Sequence, residues 1–183
     1  MAILPLVIAP DPRLKKISEE VKPEEINDEL RVFLEDMLET MYKHYGLGLA
    51  AVQVGVHKRI IAMDIAQGSL RYDGTHNPDA SPDPIFLINP EIIFSSEEKF
   101  VFEEGCLSFP TQFAEVERPK KVIVKYLDSF GKERTQEFEG LASVCIQHEI
   151  DHLNGIVFVD YISKMKRDMI VKKVEKVKKT MKV

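Results

Sequence analysis

The chain has 183 residues and a mass of 20.9 kDa, the size of one domain and long enough to bury roughly 70% of its unfolded surface. Its 44% hydrophobic and 30% charged residues, at a net charge of −5, exclude a disordered or fibrous chain, and its two cysteines exclude a disulfide scaffold and fit a reducing, cytoplasmic setting. Met1–Pro10 has no basic segment and too short an apolar stretch for a secretion signal, and no run approaches the ~18 apolar residues of a membrane helix, so a soluble single domain over 1–183 with no membrane partner is expected.

From the N-terminus, residues 24–45 place Ile26, Leu30, Phe33, Met37 and Met41 at spacings of 4, 3, 4 and 4. That predicts an amphipathic helix with acidic residues in its first turn and Gly46 as its stop. Arg59–Ile65, Ile85–Phe94 and Lys99–Phe102 read as strands. Between the first two, Gln67–Pro84 is rich in Gly, Asp, Asn and Pro and reads as a long surface loop. Lys121–Leu127 and Lys132–Phe138 flank Asp128-Ser-Phe-Gly131, a hairpin signature. Leu141–Leu153 is apolar on most sides and stops before Asn154-Gly155, as a buried helix would. Strands come in runs rather than in βαβ alternation, which predicts an α+β fold: antiparallel or mixed sheets around a central helix, with helices near both ends.

The tail, 164–183, reads as a basic amphipathic helix. It holds nine Lys or Arg against Asp168 and Glu175, a net of +7, which leaves −12 for the preceding 163 residues. Met165, Met169, Val174, Val177 and Met181 recur at spacings of 4, 5, 3 and 4 and predict one apolar stripe packed on the body. An acidic body with a basic tail directs any anionic partner to the tail.

The central helix carries the chemistry. Residues 148–152 read His-Glu-Ile-Asp-His. Positions i and i+4 share a helix face, so His148 and His152 can offer two imidazole nitrogens to one metal ion, with Glu149 one step round. Two polar rings on a buried helix are better explained by a metal than by separate hydrogen bonds. The third ligand is open at this point. Downstream stand Asp160, Asp168 and Glu175; upstream, Glu104-Gly-Cys-Leu-Ser-Phe-Pro110 follows a strand, and Gly105 permits a sharp turn at Cys106, which is otherwise a small buried hydrophobe. Cys145, among Val144 and Ile146, is read as packing or pocket lining. Gly46-Leu-Gly-Leu-Ala-Ala-Val-Gln-Val-Gly55 permits close backbone approach and holds the polar Gln53 in an apolar run, but lacks the Gly-Lys-Ser/Thr ending of a phosphate loop.

Together, Gly46–Gln53, Glu104–Ser108 and Gln147–His152 resemble the three motifs of the peptide deformylases in order and spacing, and Ile8-Ala-Pro-Asp-Pro-Arg-Leu14 is similar to that family's opening. The tail resembles that of the bacterial type with a C-terminal helix. The resemblance implies a metal-dependent hydrolase that removes the N-formyl group from the N-terminal formylmethionine of nascent polypeptides, releasing formate. It implies Cys106, His148 and His152 as metal ligands, Glu149 as acid/base, and the Gln53 side chain with the Leu107 N–H as oxyanion donors. It favours ferrous iron, though the ligand set tolerates Zn, Co or Ni. Val144 and Cys145, four and three residues before His148, face the same way as the ligands and with Leu47 predict an apolar slot for the methionine side chain; Gly48 and Gly105 complete the expected substrate-binding set.

The partners so expected are formylmethionyl peptides and, through the tail, the ribosome, bound weakly by a monomer, with no role for DNA. One departure is Phe113, where some bacterial members carry a substrate-contacting arginine. Two other readings differ in kind. A zinc endopeptidase would take a carboxylate or imidazole as third ligand, and a ribosome-associated module with a structural metal would need a closed fourth position. Glu104 and Arg118 are expected to pair beneath the cysteine loop, His44 to carry positive charge at a helix end, and His57 and His76 to be solvated.

Overall fold

Asn27 opens the first helix. Its side-chain oxygen accepts the N–H of Leu30 at 3.0 Å, satisfying one of the donors that a helix start leaves unpaired. In the computed structural model, which describes residues 1–66 and 81–181, helix α1 then runs Asp28–Lys43. It starts later than the apolar spacing indicates because Pro23–Glu25 form a separate 3-10 turn. Its end also differs from expectation. Tyr45, at φ 57°, takes the left-handed position assigned to Gly46. Gly46 is needed for space instead, since a Cβ there would lie 2.8 Å from Leu107 Cδ1.

Among the described residues, seven strands follow in chain order: β1 Gly48–Ala50, β2 Ile60–Met63, β3 Ile85–Ser95, β4 Lys99–Cys106, β5 Phe109–Pro119, β6 Lys121–Leu127 and β7 Glu133–Glu139. All pair antiparallel, as one sheet in the order β1-β2-β3-β6-β7 and a second of β4 with β5. The hairpin expected at Asp128–Gly131 joins β6 to β7: the Asp128 carboxylate accepts the N–H groups of Phe130 and Lys132, both at 3.0 Å, and Gly131 takes φ 80°. Two strands escape the sequence reading. β1 is only three residues long, and β5 sets Gln112 and Arg118 on its inward side and Phe113 on its exposed side, against the apolar alternation that would signal a strand. The loop expected over Gln67–Pro84 lies mostly outside the described residues, as does His76; 81–84 has no regular structure.

Helix α2, Leu141–Leu153, lies on the large sheet, where Ile146, Ile150 and Leu153 pack with Ile61, Leu87, Val122 and Val124. The expected α+β architecture around a central helix is what the chain adopts. A second core lies on the other face of this sheet, where Leu34, Met37 and Met41 of α1 meet Leu49, Ile60 and Ile88. The tail helix α3, Lys164–Thr180, is capped by Ser163, whose hydroxyl accepts the N–H of Lys166 at 3.3 Å.

The apolar stripe of α3 is not the expected one. Ile170 and Val174 are buried against Phe109, Phe158 and Val159, whereas Met165 and Met169 are 73% and 54% exposed. The five-residue step from Met169 to Val174 crosses from one helix face to another. The face that packs follows Arg167, Ile170, Val171, Val174 and Val177, the i, i+3, i+4, i+7, i+10 pattern of one helix side.

Candidate metal centre

Two elements supply the centre. On α2, the i, i+4 spacing brings His148 and His152 edge to face, with ring centroids 5.0 Å apart. From the other side comes Cys106, at a register irregularity between Gly105 and Cys106 where β4 meets β5. Such a bulge re-aims a side chain, and here it turns the thiol toward the helix. Cys106 Sγ lies 3.3 Å from His152 Nε2, and the donor atoms of Cys106, His148 and His152 all lie within 4.8 Å of one another. Among the described residues, this is the one group of three or more His, Cys, Asp or Glu side chains so placed. Asp160, a downstream candidate, is held by Lys15 and by the N–H of Val157 instead. Cys106 and Cys145 are both free thiols.

The two histidines differ behind their donor atoms. His148 Nδ1 lies 2.9 Å from Glu104 Oε1; an ionised carboxylate can only accept, so Nδ1 carries the proton and Nε2 is left for a ligand. Glu104 is in turn held by Arg118, with Nη2 2.9 Å from its Oε1, as expected for this pair. Two further groups join that the sequence did not single out, Asp151 and Tyr161: Arg118 Nη1 donates to Asp151 at 2.9 Å, the Tyr161 hydroxyl donates to Asp151 at 2.7 Å, and the guanidinium sits 4.9 Å over the Tyr161 ring. Burial works against ionised Glu104, but His148 and Arg118 outweigh it and hold the carboxyl below its ordinary range. His152 Nδ1 is buried without a hydrogen-bond partner.

These surroundings fit a cation. Burial disfavours a charged His148, yet the Cys106 and Glu104 hydrogen bonds raise its pKa well above the usual value, so the site stabilises positive charge. Burial, with His148, Arg118 and Lys15, lowers that of His152, which keeps it neutral and able to donate a lone pair. A thiol sulfur and two imidazoles suit a borderline divalent metal. Glu149 lies one step round the helix, 4% exposed, with Oε2 unpartnered. Burial pushes its carboxyl up to about 7, helped by Glu104 and opposed by His148, the Ala50 N–H and Arg118.

Gln53 is oriented by its own carbonyl: Oε1 accepts the Ala50 N–H at 2.9 Å, so Nε2 turns to Cys106 Sγ at 3.5 Å and Ser108 Oγ at 3.3 Å. Leu47, Gly48, Gly105, Leu107, Val144 and Cys145 all line the cavity at the centre, about 530 Å³ including its open mouth. Gly48 admits no side chain, since a Cβ there would fall 2.8 Å from Cys145 Sγ and from Glu149 Oε1. Phe102 and Leu141 also line it and were not foreseen. Leu141 lies seven residues, two turns, before His148, so helical period alone could have found it. Phe113 pairs with Gly105 across the strands, and its ring occupies the place of a Gly105 side chain, 2.6 Å from where the Cβ would be. Burial and Lys43 lower the pKa of His44, which works against the positive charge expected at this helix end; His57 Nε2 lies 3.1 Å from the Arg13 carbonyl.

A family model described as polypeptide deformylase matches residues 3–168. The peptide deformylase of Rhizobium meliloti (strain 1021) is 49% identical over 180 residues, covering 98% of this chain and 97% of that one. That of Mesorhizobium japonicum is 50% identical over 179 residues, covering 98% and 95%. A crystal structure of peptide deformylase from Ehrlichia chaffeensis superposes with a TM-score of 0.87 at 44% identity over 98% of each chain. A second from that organism, in complex with actinonin, gives 0.86 at 45% identity over 96% of this chain and 98% of that one.

Proposed function

The chain belongs to the peptide deformylase family, and on that premise we propose how its own residues hydrolyse the N-formyl group of formylmethionyl nascent polypeptides. The observation that carries the reading is the convergence of half-buried Cys106 with buried His148 and His152, with buried Glu149 beside them. Those three side chains would hold one divalent metal, whose bound form lowers the pKa of water toward about 7 and polarises a carbonyl.

The protein's groups then divide the work. Glu149, with a free carboxylate oxygen and a raised pKa, takes the proton from the attacking water. As the formyl oxygen gains charge, the Gln53 amide N–H, already aimed at the site, and the Leu107 N–H donate to it. Glu149 returns its proton to the leaving amine as the formyl C–N bond breaks and formate departs. Leu47, Val144 and Cys145 wall the slot for the methionine side chain, while the backbone of Gly48 and Gly105 lies open to the peptide.

Ferrous iron is the proposed native metal, with Zn, Ni or Co able to replace it at this ligand set. The catalytic domain spans 1–183 and acts as a cytoplasmic monomer, a reading supported by the free thiols and by the charged edge strand β7, which opposes sheet-to-sheet pairing. The basic face of α3 gives weak attachment to ribosomal RNA. The test is metal analysis of protein prepared without air, together with formate release from a formyl-Met peptide. Wild type should hold one iron per chain and release formate. Cys106→Ser should lose metal, because a hydroxyl is a far poorer ligand than a thiolate, whereas Cys145→Ser should keep it; the reverse would overturn the ligand set.

A further inference from the structure

Behind the wall of the cavity lies a buried polar cluster that the chemistry above does not use. Asp64, just after β2, is fully buried. Its Oδ1 accepts the N–H of Ala66 at 3.0 Å, and its Oδ2 accepts the N–H of Asp83 at 3.1 Å and the hydroxyl of Tyr42. Its own N–H donates to the carbonyl of Leu47 at 2.9 Å. Tyr42 stands in the last turn of α1, where burial and Asp64 raise its pKa, so its hydroxyl remains a donor. A buried carboxylate with three donors is fully satisfied, and such networks rigidify what they join.

What this one joins is the cavity wall. Leu47 and Gly48 face the cavity, and Gly48 pairs with Met63, the residue before Asp64. Gly48 also has no clearance toward α2, as its closeness to Cys145 and Glu149 shows. The gap between Leu47 and Val144 is therefore set by where this short strand stands, and the Asp64 N–H holds it from behind at the Leu47 carbonyl. β1 itself, three residues long, has little pairing of its own with which to resist a shift.

We infer that Tyr42 and Asp64 are positioning residues that set the width of the slot for the substrate's first side chain by fixing the Leu47 carbonyl, and hence the selectivity for methionine. Neither touches substrate. The inference rests on the proposed reading of Leu47 and Val144 as walls of that slot.

The test compares wild type, Tyr42→Phe, Asp64→Asn and Leu47→Ala, each as full-length, metal-loaded protein. For each, kcat and KM are measured on formyl-Met, formyl-Ala and formyl-Phe peptides of otherwise identical sequence. Tyr42→Phe and Asp64→Asn should each lower the preference for formyl-Met over formyl-Ala by about 5- to 10-fold, less than the loss of a whole well-fitted group. The loss should lie in KM, with kcat on formyl-Met within about 2-fold of wild type. The double variant should add little to the larger single effect, because both changes break one linkage. If Asp64→Asn does not fold, Tyr42→Phe carries the test, since it removes one hydroxyl and keeps the ring. Should Leu47→Ala shift the preference while folded Tyr42→Phe keeps the wild-type ratio, the positioning role is overturned and the slot stands. Should neither shift it, both fall together.

Discussion

Helix α2 buries ten of its thirteen residues and helix α3 two of its seventeen, and their polar groups differ accordingly. In α2, Gln147, His148, Glu149 and His152 are all buried. A polar group taken out of water must find a partner or be given a task, and the partners are visible for Gln147 and His148. Gln147 reaches the Pro119 carbonyl at 2.9 Å and His148 reaches Glu104 at the same distance. Glu149 Oε2 and His152 Nδ1 have none. In α3 the lysines face solvent, where they need no partner and disclose no function individually. Polar residues inside therefore speak for chemistry one at a time, while polar residues outside speak only as a field.

The sharpest way to break that contrast is Glu149→Gln, which keeps shape and burial but removes the base. Metal should remain bound while kcat falls by about 10²–10⁴. Wild-type turnover would mean that a buried, unpartnered carboxylate can be idle. The pH profile adds a sign. Glu149 must be ionised to accept a proton, so activity is present above its pKa and lost as pH falls through it. Its pKa is raised to about 7, and a bound divalent cation favours the ionised form, which sets the acid limb of kcat/KM at or below about pH 7. The residual rate of the Gln variant should lack that limb.

The contrast also explains what the sequence disclosed. His148, Glu149 and His152 are legible because helical period alone brings them together. Cys106 is legible only through the resemblance, since it reaches α2 by a bulge in a strand more than forty residues earlier. Glu104 and Arg118 could be paired in advance, but Asp151 and Tyr161 could not: both look like ordinary surface polar residues until β5 brings Arg118 against them. Asp64 is hidden for the same reason, as its three donors come from α1 and from both sides of the 67–80 stretch. The α3 stripe was misread because methionine counts as apolar in any pattern, and only packing tells which apolar face meets the body.

A smaller effect is expected one layer behind the metal ligands. Glu104 is 3% exposed and Arg118 4%, so Glu104→Gln leaves a buried guanidinium short of a counter-charge, relieved in part by Asp151. Removing one partner of such a pair costs about 3–5 kcal/mol, and Asp151 should hold the loss to the lower end. Because the same carboxylate orients His148, metal affinity should fall by about 10–100-fold. Denaturant unfolding and competition with a chelator measure the two separately. A stability loss without a change in metal affinity would reduce Glu104 to a structural role.

The smallest effects belong to α3, and they separate its two faces. Val174→Ala removes two buried methyl groups from the cluster with Phe109 and Phe158 and should cost about 1–2 kcal/mol in a denaturant melt. Met169→Gln, on the exposed side, should stay within about 0.5 kcal/mol of wild type. The exposed side carries Lys172, Lys176 and Lys179 with Met165 and Met169, a basic surface on a chain that is otherwise acidic. Reversing Lys172, Lys176 and Lys179 to Glu leaves the packed face untouched, unlike deletion of the helix, which would uncover Phe109 and Phe158. Hydrolysis of a short formyl-Met peptide should be unchanged, because the three lysines do not line the cavity at the metal site. Co-sedimentation with ribosomes at low salt should be lost, and the slope of binding against salt in the wild type should show release of a few counterions. Co-sedimentation that survives the reversal at unchanged salt slope would leave α3 with the Ile170–Val174 face as its whole role.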